Sequence, residues 1–114
     1  MTTRDAVAWA RIEDSFPSHP RVVGLSDGAF RLYVTGVCYA AQHLTDGLVP
    51  RAVVPDPALA RELVVAGLWI TSRQGWIVHD WHEWNPTADE VRKRRAAARE
   101  RMRRRRRDDG GRFT

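Results

Sequence analysis

Arginine side chains dominate the chemistry available to the C-terminal part of this 114-residue chain. Residues 101–107 read Arg-Met-Arg-Arg-Arg-Arg-Arg, and residues 91–114 hold 12 Arg and Lys against 3 Asp and Glu, a net of +9. Residues 1–90 hold 7 basic against 11 acidic residues, a net of −4. Because guanidinium groups form forked hydrogen bonds with phosphate oxygens, this split predicts an acidic body with a basic arm that binds a polyanion, most simply nucleic acid.

The arm supplies most of the predicted DNA contacts, and four residues of the body supply the rest. The predicted phosphate-binding residues of the arm are Arg92, Arg94, Arg95, Arg99, Arg101, Arg103, Arg104, Arg105, Arg106 and Arg107. Those of the body, which are predicted to touch phosphates or base edges, are Arg51, Arg61, Arg73 and Gln74. Three interpretations of the arm stay open, namely binding to duplex DNA, binding to RNA and a solvated tail.

The remaining reactive residues predict neither catalysis nor a cofactor. The sequence has no glycine-rich phosphate loop, no HExxH motif and no spacing typical of a Ser/His/Asp triad. His79 and His82 have the spacing of helical zinc ligands, but they follow a predicted strand and lack a cysteine pair, so we expect no metal. We expect His79 to lie on the core side of the hairpin. The single cysteine, Cys38, excludes an internal disulfide and favours a reducing, cytoplasmic location.

Length and hydropathy predict one small domain with an appendage. No stretch of 18 apolar residues is present, so no membrane span is expected, and residues 1–5 do not resemble the start of a secretory signal. We expect one domain over residues 1–86, a helical arm over residues 87–107 and a flexible tail over residues 108–114.

Capping residues and apolar spacing predict the elements that must position these side chains. Ser26 and Asp56 are good N-caps, and Pro57 suits a first helical position. The predicted elements are a helix over 27–43, a strand at 48–49, a short helix over 50–54, a helix over 57–66, and strands over 68–71 and 76–79 that flank Gln74-Gly75.

The arm is predicted to be a helix that starts at a capping box. Thr87 and Glu90 have the required spacing, and Ala96-Ala97-Ala98 favours helix strongly. The pairs Glu90–Arg94 and Glu100–Arg104 lie four residues apart in the better orientation. Asp108-Asp109-Gly110-Gly111 is expected to end the helix.

The order of these elements is that of a winged helix-turn-helix, mainly α with a small β-hairpin, followed by a basic C-terminal helix. The helix over 57–66 would occupy the recognition position, and Gln74-Gly75 would form the tip of the wing. Asp56, Arg61 and Glu62 are its polar residues, and two carboxylates disfavour contact with DNA. An alternative is therefore a protein-interaction module, in which this helix docks a host or replisome protein or the 27–43 helix forms a homodimer.

Five segments carry a resemblance to a known family. They are Trp9-Ala-Arg-Ile-Glu-Asp-Ser-Phe-Pro-Ser-His-Pro20, Leu25-Ser-Asp-Gly-Ala-Phe-Arg-Leu32, Thr45-Asp-Gly-Leu-Val-Pro50, Ala66-Gly-Leu-Trp69 and Gly75-Trp-Ile-Val-His-Asp-Trp81. Together they resemble small phage and prophage proteins of actinobacteria, a family similar to the N-terminal winged-helix domain of replisome-organiser (DnaD-type) replication proteins. The resemblance implies a DNA-associated, non-enzymatic role in phage replication or gene control, and it carries over no site residue.

Overall fold

The computed structural model describes the backbone of residues 9–112 and the side chains of residues 9–107. Most of this part of the chain is helical, and three short strands form one small antiparallel sheet. In chain order the elements are α1 Pro20–Val23, α2 Asp27–His43, β1 Leu48–Pro50, α3 Pro57–Val65, β2 Trp69–Thr71, β3 Gly75–Val78, α4 Trp81–Trp84 and α5 Ala88–Arg112. The prediction of a mainly α fold with a small β-hairpin is confirmed.

The sheet places β3 between β1 and β2, with both pairs antiparallel. Val49, Trp76 and Thr71 form one row across the three strands, and Leu48, Ile77 and Ile70 form the next. Because side chains alternate along a strand, the first row turns towards the helices and the second towards solvent. Val49 is 1% exposed, whereas Ile70 is 48% exposed.

The core lies between α2, α3 and the inner face of the sheet. Its largest fully buried side chains are Trp69, Leu63, Val37 and Val49. Gly36 allows the closest approach, because a Cβ at this position would lie 2.6 Å from Cζ2 of the Trp69 ring. The sheet can therefore press its largest side chain directly onto the backbone of α2.

Helix α2 has the predicted bounds because its end signals are local. The Ser26 hydroxyl accepts the amide N–H of Ala29, as expected of an N-cap. The helix ends at Leu44, which adopts the left-handed conformation with φ 53°. Helix α3 begins as predicted, with the Asp56 carboxylate accepting the amide N–H of Ala58, and Gly67 stops it at φ 79°.

Several boundaries differ from the prediction. Residues 51–53 form a single 3-10 turn rather than an α-helix over 50–54, and α4 is an additional short helix. Helix α5 continues to Arg112, past the predicted end at Arg107 and through Gly110-Gly111. A helix that is already nucleated gains one hydrogen bond for each added residue, so two glycines at about 1 kcal/mol each do not fix its end.

The prediction that His79 lies on the core side of the hairpin is wrong. Its side chain is 43% exposed, and Nδ1 lies 2.9 Å from Oδ2 of Asp80. The alternation of β3 explains this result: Trp76 and Val78 point inward, so His79 falls on the outer side.

Candidate nucleic-acid interface

Two side-chain caps hold the first turn of helix α5, and one of them fixes the helix to the body. The amide N–H of Ala88 donates to Oδ1 of Asp46 at 2.7 Å, and the amide N–H of Glu90 donates to Oγ1 of Thr87 at 3.1 Å. Asp46 belongs to the turn after α2, 42 residues earlier in the chain, and Ala88 is buried. Thr87 thus caps the helix as the predicted capping box requires. The second cap comes from Asp46 rather than from Glu90.

Beyond its first turns α5 extends away from the body into solvent. The molecule measures 64 × 30 × 28 Å, and a helix of 25 residues is about 37 Å long. The ten predicted arginines of the arm are all exposed. The structure therefore presents most of them along a helix that extends into solvent, while Arg94 and Arg95 lie at the junction with the body.

The arginines of α5 form two stripes along the rod. Residues three or four apart share a side of a helix. Spacing of three, four, four and three residues defines the first arginine stripe, which consists of Arg92, Arg95, Arg99, Arg103 and Arg106. The second arginine stripe consists of Arg94, Arg101 and Arg105. Between the stripes runs a narrow apolar strip of Val91, Ala98 and Met102.

Few carboxylates compete for these guanidinium groups among the described side chains. Asp89 lies 3.3 Å from Arg92, and Glu100 lies 3.3 Å from Arg104 and 3.6 Å from Arg103. All three ion pairs are between side chains that are well exposed, so each contributes about 1 kcal/mol at most. A phosphate can displace such partners at little cost.

The hairpin turn brings together three of the four predicted body residues. Ser72, Arg73 and Gln74 connect β2 to β3, and the Arg51 guanidinium donates from Nη1 to the Arg73 carbonyl at 2.8 Å and from Nη2 to the Ser72 carbonyl at 3.3 Å. Arg73 and Gln74 are exposed at the tip. Arg51 therefore holds the turn from below, and two of its guanidinium nitrogens are occupied by backbone oxygens.

Arg61 is the fourth predicted body residue, and it lies on the exposed side of α3. The neighbours on this side are Pro57, Ala58 and Val65, with Val65 82% exposed. One cation among small and apolar side chains is a weak surface for reading bases. That the arm, rather than α3, supplies affinity for nucleic acid stays a prediction.

The two carboxylates of α3 serve the fold. Asp56 caps its own helix, as described above. Glu62 accepts the Ser26 amide N–H at 2.6 Å through Oε1 and the Ser26 hydroxyl at 2.8 Å through Oε2, so it ties α3 to the start of α2. These hydrogen bonds lower the pKa of Glu62 from its ordinary value. The interpretation of Asp56 and Glu62 as a free docking surface for a protein is therefore weakened.

Sequence reasoning missed a group of residues at the junction between α5 and the body. Trp9, Arg11 and Asn85 line a cleft there together with Arg94 and Arg95. No local sequence pattern predicts that Asn85 lies in this cleft or that its Oδ1 accepts the Arg11 amide N–H at 3.2 Å.

Neither a metal cluster nor a membrane span emerges from the described part of the chain. Residues 9–107 contain no group of three or more His, Cys, Asp or Glu side chains arranged to hold a metal ion. No helix within residues 9–112 has both the length and the apolar character needed to cross a bilayer.

Comparison with known proteins found no match, whether to a protein-family model, to a curated protein or to a solved structure.

Proposed function

We propose that this chain is a non-enzymatic nucleic-acid-binding protein whose α5 lies along duplex DNA and neutralises its phosphates. One observation carries the proposal: eight exposed arginines form two stripes on a helix that is capped onto the body and extends clear of it. Each guanidinium offers a planar pair of donors that suits a phosphate. The +9 charge of residues 91–114 also favours fast association with a polyanion.

The body is proposed to act as a winged helix-turn-helix domain that positions the chain on the duplex. Three features support this: the element order, the placement of β3 between β1 and β2, and the exposed Arg73 and Gln74 at the hairpin tip. On this proposal α3 occupies the recognition position but contributes only Arg61. The resemblance to phage winged-helix proteins implies a role in replication or gene control in the bacterial cytoplasm.

A salt series with a matched pair of arm variants tests the proposal. The first variant replaces Arg103–Arg107 with glutamine, which removes five charges, and the second replaces the same residues with lysine, which keeps them. Both substitutes are good helix formers. Fluorescence anisotropy with a labelled duplex should give a steep fall in affinity with salt for the native chain, with a slope near −5 if about six phosphates are neutralised.

In the glutamine variant the slope should become less steep by about 0.9 for each phosphate contact removed. The lysine variant should keep most of the native slope. Equal slopes for the native chain and the glutamine variant would contradict the proposal. Competition with unlabelled duplex RNA of the same length distinguishes DNA from RNA as the ligand. If RNA displaces the labelled duplex more effectively than DNA does, the preferred ligand is RNA and the proposal of duplex DNA is wrong.

A protein-binding role is the second candidate, and the solvent face of the sheet favours it. Leu48, Ile77 and Ile70 form an apolar row across all three strands, and Ile70 and Ile77 are 48% and 37% exposed. Capture of a partner after nuclease treatment, and loss of that capture in Ile70→Ser, would support this role. A partner that is captured before nuclease treatment and lost after it would support nucleic-acid binding instead.

A further inference from the structure

The cleft between α5 and the body is a partly open recess rather than a flat surface. It has a volume of about 260 Å³, and its walls come from the C-terminal turn of α2, the segment before α1 and the first two turns of α5. Pockets for drug-sized ligands usually measure about 300–1,000 Å³, so this recess suits a smaller group.

An aromatic ring stands at the cleft with most of its surface uncovered. Trp9 lines the cleft and is 76% exposed, which makes it the second most exposed of the large apolar residues described, after Val65. Indole is a large, flat ring on which a nucleobase can stack, whatever the identity of the base.

Polar donors complete the recess. Asn85 lines it and is only 8% exposed, and its Oδ1 accepts the Arg11 amide N–H. Its amide nitrogen donates to no group among the side chains and backbone that the structure describes. Arg11, Arg94 and Arg95 surround the recess, whereas the one carboxylate in its lining, Asp46, already accepts the Ala88 amide N–H. The net charge around the cleft is positive, which complements a phosphate that flanks a base.

The side of α5 that faces this cleft continues outward as the surface between the two arginine stripes. Val91 lies in the cleft wall, and Ala98 and Met102 follow it on the same side of the helix. Arg94 and Arg95, which line the cleft, are members of the second and first stripe respectively. A strand held by the two stripes therefore runs toward the cleft at the base of the helix.

We propose that this cleft binds one unpaired base of the nucleic acid that lies along α5, with Trp9 stacking on the base and Asn85 donating to its edge. This inference rests on the proposed function, since α5 must deliver the strand. It adds a structural preference: the protein recognises a site where a duplex has an extruded or unpaired nucleotide, such as a bulge or a junction with a single strand.

The test uses two labelled DNAs with the same base pairs, a perfect duplex and the same duplex with one additional, unpaired thymine. Binding of each DNA is measured with three full-length proteins, namely the native chain and two variants. Trp9→Ala removes the stacking ring. Trp84→Ala is the matched control, because Trp84 is also exposed, at 51%, but does not line this cleft. The native chain should bind the bulged DNA about 5- to 150-fold more tightly than the duplex, as expected for one base stacked on an aromatic ring.

The preference should vanish in Trp9→Ala and persist in Trp84→Ala, while the salt dependence of duplex binding stays the same in all three proteins. Equal affinity of the native chain for both DNAs, with salt-sensitive duplex binding intact, would overturn the inference and leave the proposed function standing. No salt-sensitive binding to either DNA would overturn both. A preference that survives in Trp9→Ala would also overturn the inference, because it would place the unpaired base elsewhere.

Discussion

Arg51 shows how one residue can hold the hairpin turn that carries two of the residues proposed to contact DNA, Arg73 and Gln74. Its guanidinium spans the hairpin turn from below and donates to two carbonyl groups of that turn, and the Arg51 amide N–H donates to the Gln74 carbonyl at 3.2 Å. These bonds fix the direction in which Arg73 and Gln74 point. Arg51 is best described as a positioning residue for the tip.

Substitution of Arg51 by alanine should loosen the turn. We expect faster amide hydrogen exchange at Ser72, whose N–H donates to the Gly75 carbonyl, and a loss of about 1 kcal/mol in the free energy of unfolding. Hydrogen exchange followed by NMR gives the first quantity, and urea denaturation gives the second. Arg73→Ala is the control because it keeps both carbonyl acceptors; equal exchange at Ser72 in the two variants would contradict this role.

Glu62 links acid stability to the contact between α3 and α2. The Ser26 amide and hydroxyl lower the pKa of Glu62 in the folded protein relative to the unfolded chain. Its contribution to stability is therefore complete above the ordinary glutamate pKa and is lost as the pH falls through the lowered, folded value.

Glu62→Gln should consequently lower the melting temperature at neutral pH and have less effect in acid, where the native carboxyl is itself protonated. Thermal denaturation of both proteins across a pH series checks this. Melting curves that stay the same distance apart down to strong acid would show that the charge of Glu62 is not involved.

At the scale of elements, the junction of β1 and β3 depends on a glycine. Gly75 has φ 152°, and a Cβ there would overlap the carbonyl oxygen of Val49 on the paired strand. Gly75→Ala should therefore destabilise the fold by about 2 kcal/mol or more and weaken the sheet first. Urea denaturation measures the loss, with Gly24→Ala as the control, since nothing lies within 4 Å of a Cβ at Gly24.

The start of α5 depends on the cap that Asp46 provides. Asp46→Ala removes the acceptor of the Ala88 amide N–H, and loss of an N-cap costs about 0.5–2 kcal/mol. Asp46 also has φ 55°, a conformation that asparagine tolerates well, so Asp46→Asn is the matched control that retains both cap and backbone. Amide exchange at Ala88 should accelerate in the alanine variant only; identical exchange in both would remove Asp46 from this role.

Local signals explain which elements could be predicted from sequence. The bounds of α2 follow from the Ser26 cap and apolar spacing, and the hairpin follows from two β-branched runs around a glycine. The contacts that organise the fold and the candidate site join residues far apart in the chain: Arg51 with Arg73, Ser26 with Glu62, and Asp46 with Ala88. No spacing rule encodes such pairs, so the junction cleft and the hydrogen bonds from Ser26 to Glu62 could be found only from the fold.

At the scale of the whole molecule, the separation of arm from body sets the shape. The radius of gyration is 18.5 Å, whereas a compact protein of this length would have about 13 Å. Small-angle X-ray scattering at moderate salt should therefore give a value near 18.5 Å and an elongated particle. A value near 13 Å would mean that the arm folds onto the acidic body.

The cap that Asp46 provides at the first turn of α5 also fixes how the helix is rotated about its axis relative to the body. Since the helix is continuous from Ala88 outward, inserting a single alanine beside Ala97 would rotate everything distal to it by about 100° relative to the cleft. Inserting seven residues would bring the distal arginines back to within about 20° of their original side. The variant with one inserted residue would keep the native charge and lose the alignment between the arm and the cleft. The variant with seven inserted residues would keep both the charge and the alignment.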